Sequence, residues 1–204
     1  MKKILKIDHL VKKIKREKLK GNKIVHCHGV FDLVHAGHIK HFQEAKKIGK
    51  FLIVSITSDK YVNKGSGRPI FTENLRAEVL SSLEYIDAVY INHNATPEKL
   101  ISLIKPDVYF KGPDYKDVKK DKTKNIIKEI SSVKKFGGKV AFSNDITFSS
   151  SNLINNYFDH FNNHQKKFLN NISKKYSFEY IYDQISYLKK LKVLLIGETI
   201  IDQY

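Results

Sequence analysis

The 204-residue chain has one cysteine, one methionine, four prolines and no tryptophan, and only three of its 37 basic residues are arginine. Each scarcity excludes something. A single cysteine, Cys27, rules out an intramolecular disulfide and fits a reducing compartment. No apolar run approaches the ~18 residues of a membrane span. The basic start "MKKILKIDHLVKKIKREKLKG" spaces its apolar residues singly, so it lacks the unbroken apolar stretch of a signal peptide. Acidic residues are also few: 21 Asp and Glu against 37 Lys and Arg leave a net charge of +16. Such a surface favours anionic partners through its long-range field. Arginine, the usual reader of base edges, occurs only at positions 16, 68 and 76, and the lysines are spread along the chain. These features lead us to expect a cytoplasmic protein with no membrane or nucleic-acid partner, a basic nucleic-acid-binding domain being the remote alternative.

What is present is an alternation. Within residues 1–21, Ile4, Ile7, Leu10, Val11 and Ile14 recur at helical spacing, which predicts an amphipathic helix or two short ones ended by Gly21-Asn22. "KIVHCHGVFD" then reads as a strand entering a loop, and "AGHIKHFQEAKKIGK" as a helix closed by Gly49. "FLIVSITSD" is a nearly unbroken apolar strand, as expected when both faces are buried. A Gly/Pro loop, a helix with Thr72 as N-cap, and two further strand–helix pairs follow, then a fifth strand at "KVAFSND". Strands and helices alternating over about 25–155 predict an α/β fold, a Rossmann-like parallel sheet with helices on both faces. Ligands of such sheets bind at the carboxyl ends of the strands.

The domain expected from this pattern spans 22–158. Residues 159–190 read as a linker and a helix. "VLLIGETIIDQY" within 191–204 reads as the first strand of a second, truncated domain.

The densest chemistry lies in "VHCHGVFDLVHAGHIKHF", with His26, His28, His35, His38 and His41. A zinc site would need four well-placed ligands. His26 and His28 share one strand face, whereas Cys27 points away from them. A phosphate cradle suits the pattern better. Gly29 follows a strand, and His35-x-Gly37-His38 opens the next helix, where free N–H groups and a partial positive charge favour anions. Two imidazoles there can donate hydrogen bonds and stabilise charge developing on a polyphosphate. His26 and His41 read as incidental, and His28 carries no assignment.

Gly29-x-Phe31-Asp32 followed by His35-x-Gly37-His38 resembles the signature of the cytidylyltransferase-like nucleotidyltransferase family. "GRPIFTENLRAEVL", "KPDVYFKGPDY" and "DITFSSSNLI" resemble further segments of that family over roughly 22–156. "KGPDY" and "SSSNLI" are most similar to the transferase domain of bacterial ADP-heptose synthesis enzymes. "KVLLIGETIIDQY" is similar to the first strand of ribokinase-like (PfkB) sugar kinases. In the ADP-heptose enzymes the kinase commonly comes first, so the order here departs from that pattern.

The resemblance implies transfer of a nucleoside monophosphate from ATP or CTP to a sugar phosphate such as heptose 1-phosphate, or from CTP to a polyol phosphate such as glycerol 3-phosphate. It implies a homodimer and Mg2+ carried by the nucleotide phosphates, with no metal ligand from the protein. His35, His38 and Lys46 would be catalytic, Lys46 on the β- and γ-phosphates. Gly29, Val30, Phe31, Asp32, Gly37, Arg76, Lys111, Gly112, Asp114, Ser149, Ser150 and Ser151 would line the nucleotide site. Asp32 suits a turn residue equally well, and Ser149–Ser151 a helix cap.

Overall fold

The computed structural model describes residues 3–65, 67–115, 125–143, 162–188, 191–192 and 197. They fall into two compact units, Met1–Ile154 and Asn155–Tyr204. The first carries strands β1 (Ile24–Gly29), β2 (Phe51–Thr57), β3 (Ala88–Asn92), β4 (Val108–Lys111) and β5 (Lys139–Phe142). Its helices are α1 (Ile7–Leu19), α2 (Ala36–Ile48), α3 (Glu73–Ser82), α4 (Glu98–Ile104) and α5 (Asn125–Lys135). The strands form one parallel sheet in the order β3-β2-β1-β4-β5. Strand order reverses between β1 and β4, the position where open α/β sheets leave a crevice for ligands.

Alternation along each strand feeds two cores. Val25, Cys27, Leu52 and Val54 meet Phe42 and Ala45 of α2 and Ala77 and Leu80 of α3 on one face. Ile24, Phe51, Ile53 and Ala88 meet Leu10 and Ile14 of α1 and Leu100 and Ile104 of α4 on the other. Val133 of α5 joins that second face against Tyr109 and Ile101. All seven residues of β2 are buried, which is why it reads as a continuous apolar run. Fully burying one such Leu or Ile contributes about 2 kcal/mol. The helix expected ahead of the domain is thus part of its core. Residues 3–5 depart from the helical expectation. They lie alongside β3, with Leu5 N–H donating to Val89 O at 3.0 Å and Val89 N–H to Lys3 O at 2.9 Å.

The amino edge of the sheet is closed by two aspartates, each one residue ahead of a strand. Asp87 Oδ2 accepts from Leu52 N–H at 2.6 Å, and Asp107 Oδ2 accepts from Ile24 N–H at 2.7 Å. Each carboxylate ties the start of its own strand to the start of a neighbour.

Among the described residues the second unit carries helices α6 (Asn163–Lys175) and α7 (Phe178–Leu188), two within the 159–190 segment that reads as a linker and one helix. Tyr176 and Ser177 separate them. The strand expected within 191–204 lies almost wholly outside the described residues. No helix among the described residues is long and apolar enough to cross a membrane.

Candidate functional site

The carboxyl ends of β1, β2 and β4 bring together most of the polar side chains buried in the first unit. The turn from β1 to α2 is the first component. Phe31 has φ 50°, the left-handed region that a bulky residue enters only when its surroundings enforce it. Gly29 makes room for it: a Cβ at that position would lie 3.1 Å from the Phe31 ring. The ring folds back against His38 and Phe42, both at 5.3 Å between centroids.

His35 caps α2. Its Nδ1 accepts from Gly37 N–H at 3.2 Å, and His38 Nδ1 accepts from His35 N–H at 3.4 Å. With both Nδ1 atoms acting as acceptors, each neutral ring carries its proton on Nε2. The rings lie 3.9 Å apart. Burial pushes His38 down to about 3, helped by the charges of His35, His41 and Lys64, and burial also lowers His35. At neutral pH both imidazoles at the helix start are therefore uncharged.

Two ion clusters hold the surrounding loops. Arg76 of α3 is buried and donates to Phe71 O at 3.0 Å, Val30 O at 2.5 Å, Thr57 O at 2.9 Å and Asp59 Oδ1 at 2.6 Å. It joins the β1 turn, the end of β2 and the loop ahead of α3. Asp32 accepts from Ile70 N–H at 2.8 Å and Phe71 N–H at 3.1 Å, and its other oxygen lies 3.0 Å from Arg68 Nε. Lys64, on the same Gly-rich loop, is close enough to His38, Asp32, Arg68 and Arg76 to interact with their charges. Its pKa is lowered, first by burial and then by Arg68, although its side chain also reaches solvent.

On the other face of the sheet, Lys111 Nζ and Tyr109 OH both donate to Glu129 Oε2 of α5, at 3.0 and 2.9 Å. Lys111 Nζ also lies 4.3 Å from the centre of the Tyr115 ring. Ser55 Oγ stands between His26 Nε2 at 2.7 Å and His28 Nδ1 at 2.8 Å. His28 Nε2 is 3.4 Å from Thr57 Oγ1. Back on the α2 face, His41 stacks on Phe110 at 4.7 Å; burial and Lys111 lower it to about 4.

The structure brings Gly29, Val30, Phe31, Asp32, His35, Gly37 and His38 to one turn. Lys111 and Gly112 end β4 at the same edge. Three of the expected site residues have protein partners in the structure. Lys46 does not reach the histidines. It sits in the last turn of α2, pairs with Asp87 and donates to Lys50 O at 2.6 Å, at the opposite edge of the sheet. The Arg76 guanidinium is occupied by protein acceptors, and Lys111 turns toward Glu129 rather than outward. Ser149, Ser150 and Ser151 lie outside the described residues, as does the side chain of Asp114. Sequence reasoning missed Lys64 and Arg68. The available signal was a "KGSGRP" loop following a buried strand, which carries one cation that pairs with Asp32 and one whose charge acts on His38.

The residues 26–157 match the cytidylyltransferase-like family model. The chain belongs to that family, and it is a nucleotidyltransferase. A bifunctional protein HldE from Methylobacillus flagellatus is 37% identical over 155 residues, covering 74% of this chain and 30% of its own length. That from Geobacter metallireducens is 44% identical over 115 residues, covering 55% of this chain and 24% of its own. The chain thus spans less than a third of these curated relatives. Among solved structures, a lipopolysaccharide core biosynthesis protein from Thermoplasma volcanium aligns with TM-score 0.50 and 29% identity, over 63% of this chain and all of that one. A pantoate-beta-alanine ligase from Francisella tularensis shares the fold, with TM-score 0.51 and 17% identity, over 74% of this chain and 69% of that one.

Proposed function

We propose that the protein transfers a nucleoside monophosphate from ATP or CTP to a sugar phosphate of the heptose 1-phosphate type, releasing pyrophosphate. The observation that carries this reading is the pair of closely packed, neutral imidazoles at the start of α2, with the charge of Lys64 acting on His38. The heptose class is supported by the similarity to HldE proteins and by the "KGPDY" segment.

A phosphate oxygen of the acceptor forms a bond to the α-phosphorus, and the bond from that phosphorus to the β-phosphate oxygen breaks. Pyrophosphate leaves with the bonding electrons. The acceptor phosphate is already anionic, so the site needs no strong base. Its work is to hold two anions in line and stabilise the leaving charge. His35 and His38 donate Nε2–H to the phosphates, and Lys64 supplies a fixed positive charge. Arg76 and Asp32 hold the two loops that carry these groups.

Among the described residues, no group of three His, Cys, Asp or Glu is set to hold a metal. The nearest carboxylates are engaged, Asp32 by two amides and Arg68, Asp59 by Arg76 and Glu73 N–H. We take Mg2+ to arrive on the triphosphate, where it would neutralise phosphate charge.

The test is pyrophosphate release with each of the four nucleoside triphosphates, crossed against heptose 1-phosphate, other sugar 1-phosphates and glycerol 3-phosphate. One active pair including a sugar phosphate is expected, with turnover reduced about 100-fold or more in His38→Ala. Activity with glycerol 3-phosphate alone would overturn the acceptor class. Undiminished activity in His38→Ala would overturn the assignment of the histidines.

A further inference from the structure

His26, Ser55, His28 and Thr57 form a chain of hydrogen-bonding groups that the roles above leave unused. It begins at His26, wholly buried 5.2 Å from the Tyr109 ring, and ends at the carboxyl edge of β1 and β2. The Ser55 hydroxyl has one proton and two imidazole neighbours, so it donates to one and accepts from the other. His26 Nδ1 decides which. It is buried with no hydrogen-bond partner. A proton there would be an orphaned donor, costlier than an unfilled lone pair. The proton of His26 therefore sits on Nε2 and is donated to Ser55 Oγ. Ser55 O–H then donates to His28 Nδ1, and His28 carries its proton on Nε2. Among the described residues that N–H meets Thr57 Oγ1 at 3.4 Å, a long contact that leaves most of its donor capacity unused.

His28 is partly exposed, unlike His26 beneath it. Its ring belongs to the α1, α4 and α5 side of the sheet, as does that of His26 against Tyr109. The phosphate-binding groups His35, His38 and Lys64 belong to the α2 and α3 side. In-line displacement brings the attacking oxygen in opposite the leaving pyrophosphate. With pyrophosphate held on the α2 side, the attacking group enters from the side where His28 stands. We infer that His28 is a further substrate-contacting residue, donating its Nε2–H to the phosphate-bearing acceptor, with Ser55 and His26 as positioning residues that set its tautomer. The contact presupposes the transfer reaction proposed above; the tautomer beneath it does not.

Long-range proton–nitrogen spectra of histidine-labelled protein test the tautomer without any substrate. Both His26 and His28 are expected to be protonated at Nε2 only. A proton on His28 Nδ1 overturns the proposal. Ser55→Ala keeps both rings and breaks the chain between them. It is expected to give mixed tautomers at His28 and about a tenfold higher KM for heptose 1-phosphate, with the nucleotide KM unchanged within about twofold. His28→Gln, which retains a side-chain N–H, should keep more activity than His28→Leu. Equal acceptor KM values in wild type and a folded Ser55→Ala would also overturn it. If wild type turns over no sugar phosphate, the substrate class falls on its own, and the tautomer spectrum still decides for or against His28.

Discussion

Lys64 and Lys46 carry the same charge and serve opposite edges of the sheet. Lys64→Ala removes a cation whose charge acts on His38, and the nucleotide KM is expected to rise about tenfold or more. Lys46→Ala breaks a half-exposed pair with Asp87, so steady-state kinetics should stay within about threefold of wild type and stability should fall by about 1 kcal/mol or less. A large kinetic defect in Lys46→Ala would reverse these roles. Spacing alone separates Lys46 from the phosphates, since eight helical residues beyond His38 is about 12 Å along the axis. The histidines were legible because His-x-Gly-His is a local pattern at a helix start. Lys64 and Arg68 were not, because the path of their loop depends on Asp32 and Arg76, which are distant in sequence. Arg76 makes the sharper stability prediction. Arg76→Met leaves three carbonyls and Asp59 without their donor, and a loss of about 3–5 kcal/mol is expected in denaturant unfolding. Arg76→Lys should restore little of it, because an ammonium cannot reproduce the planar fork.

At the scale of elements, the turn between β1 and α2 and the turn between α2 and β2 both depend on glycine, with different consequences. In Gly29→Ala the new Cβ meets the Phe31 ring at 3.1 Å, and that ring rests on His38. The expected effect is kinetic, about a tenfold loss of kcat, with stability lowered by about 1 kcal/mol. In Gly49→Ala the new Cβ meets Lys23 O at 2.6 Å, a backbone atom that cannot swing aside. There the expected effect is a loss of about 1–3 kcal/mol, with kinetics close to wild type. Parallel measurement of kcat and the unfolding midpoint in both variants checks the contrast. The alternation of strands and helices was readable because each element has its own period of burial. The pairing of residues 3–5 with β3 was not. It joins positions some 85 residues apart through backbone groups, which leave no mark on side-chain pattern.

For the whole molecule, the histidines make stability depend on pH. Burial lowers His26 and His38 to about 3, and His41 to about 4. Below about 6.5 the unfolded chain binds protons that the folded one refuses, so stability falls as pH falls. A fully buried histidine such as His26 contributes a slope of up to about 1.4 kcal/mol per pH unit between those values. Tm should therefore be level from pH 8 to 7 and drop steadily from pH 6 to 4. A bound triphosphate favours the charged form of His38, so the drop should be shallower with nucleotide present. A Tm unchanged between pH 7 and 5 would contradict the burial of these rings.

The two aspartates ahead of β3 and β4 separate what the ends of the sheet are required to do. They set strand alignment from the end away from the ligands, so alignment does not depend on the groups that touch substrate. Polar, awkwardly shaped residues can then change at the catalytic end while the scaffold keeps its register. One frame of this kind can serve acceptors of different shape by altering a handful of side chains such as His28 and Thr57.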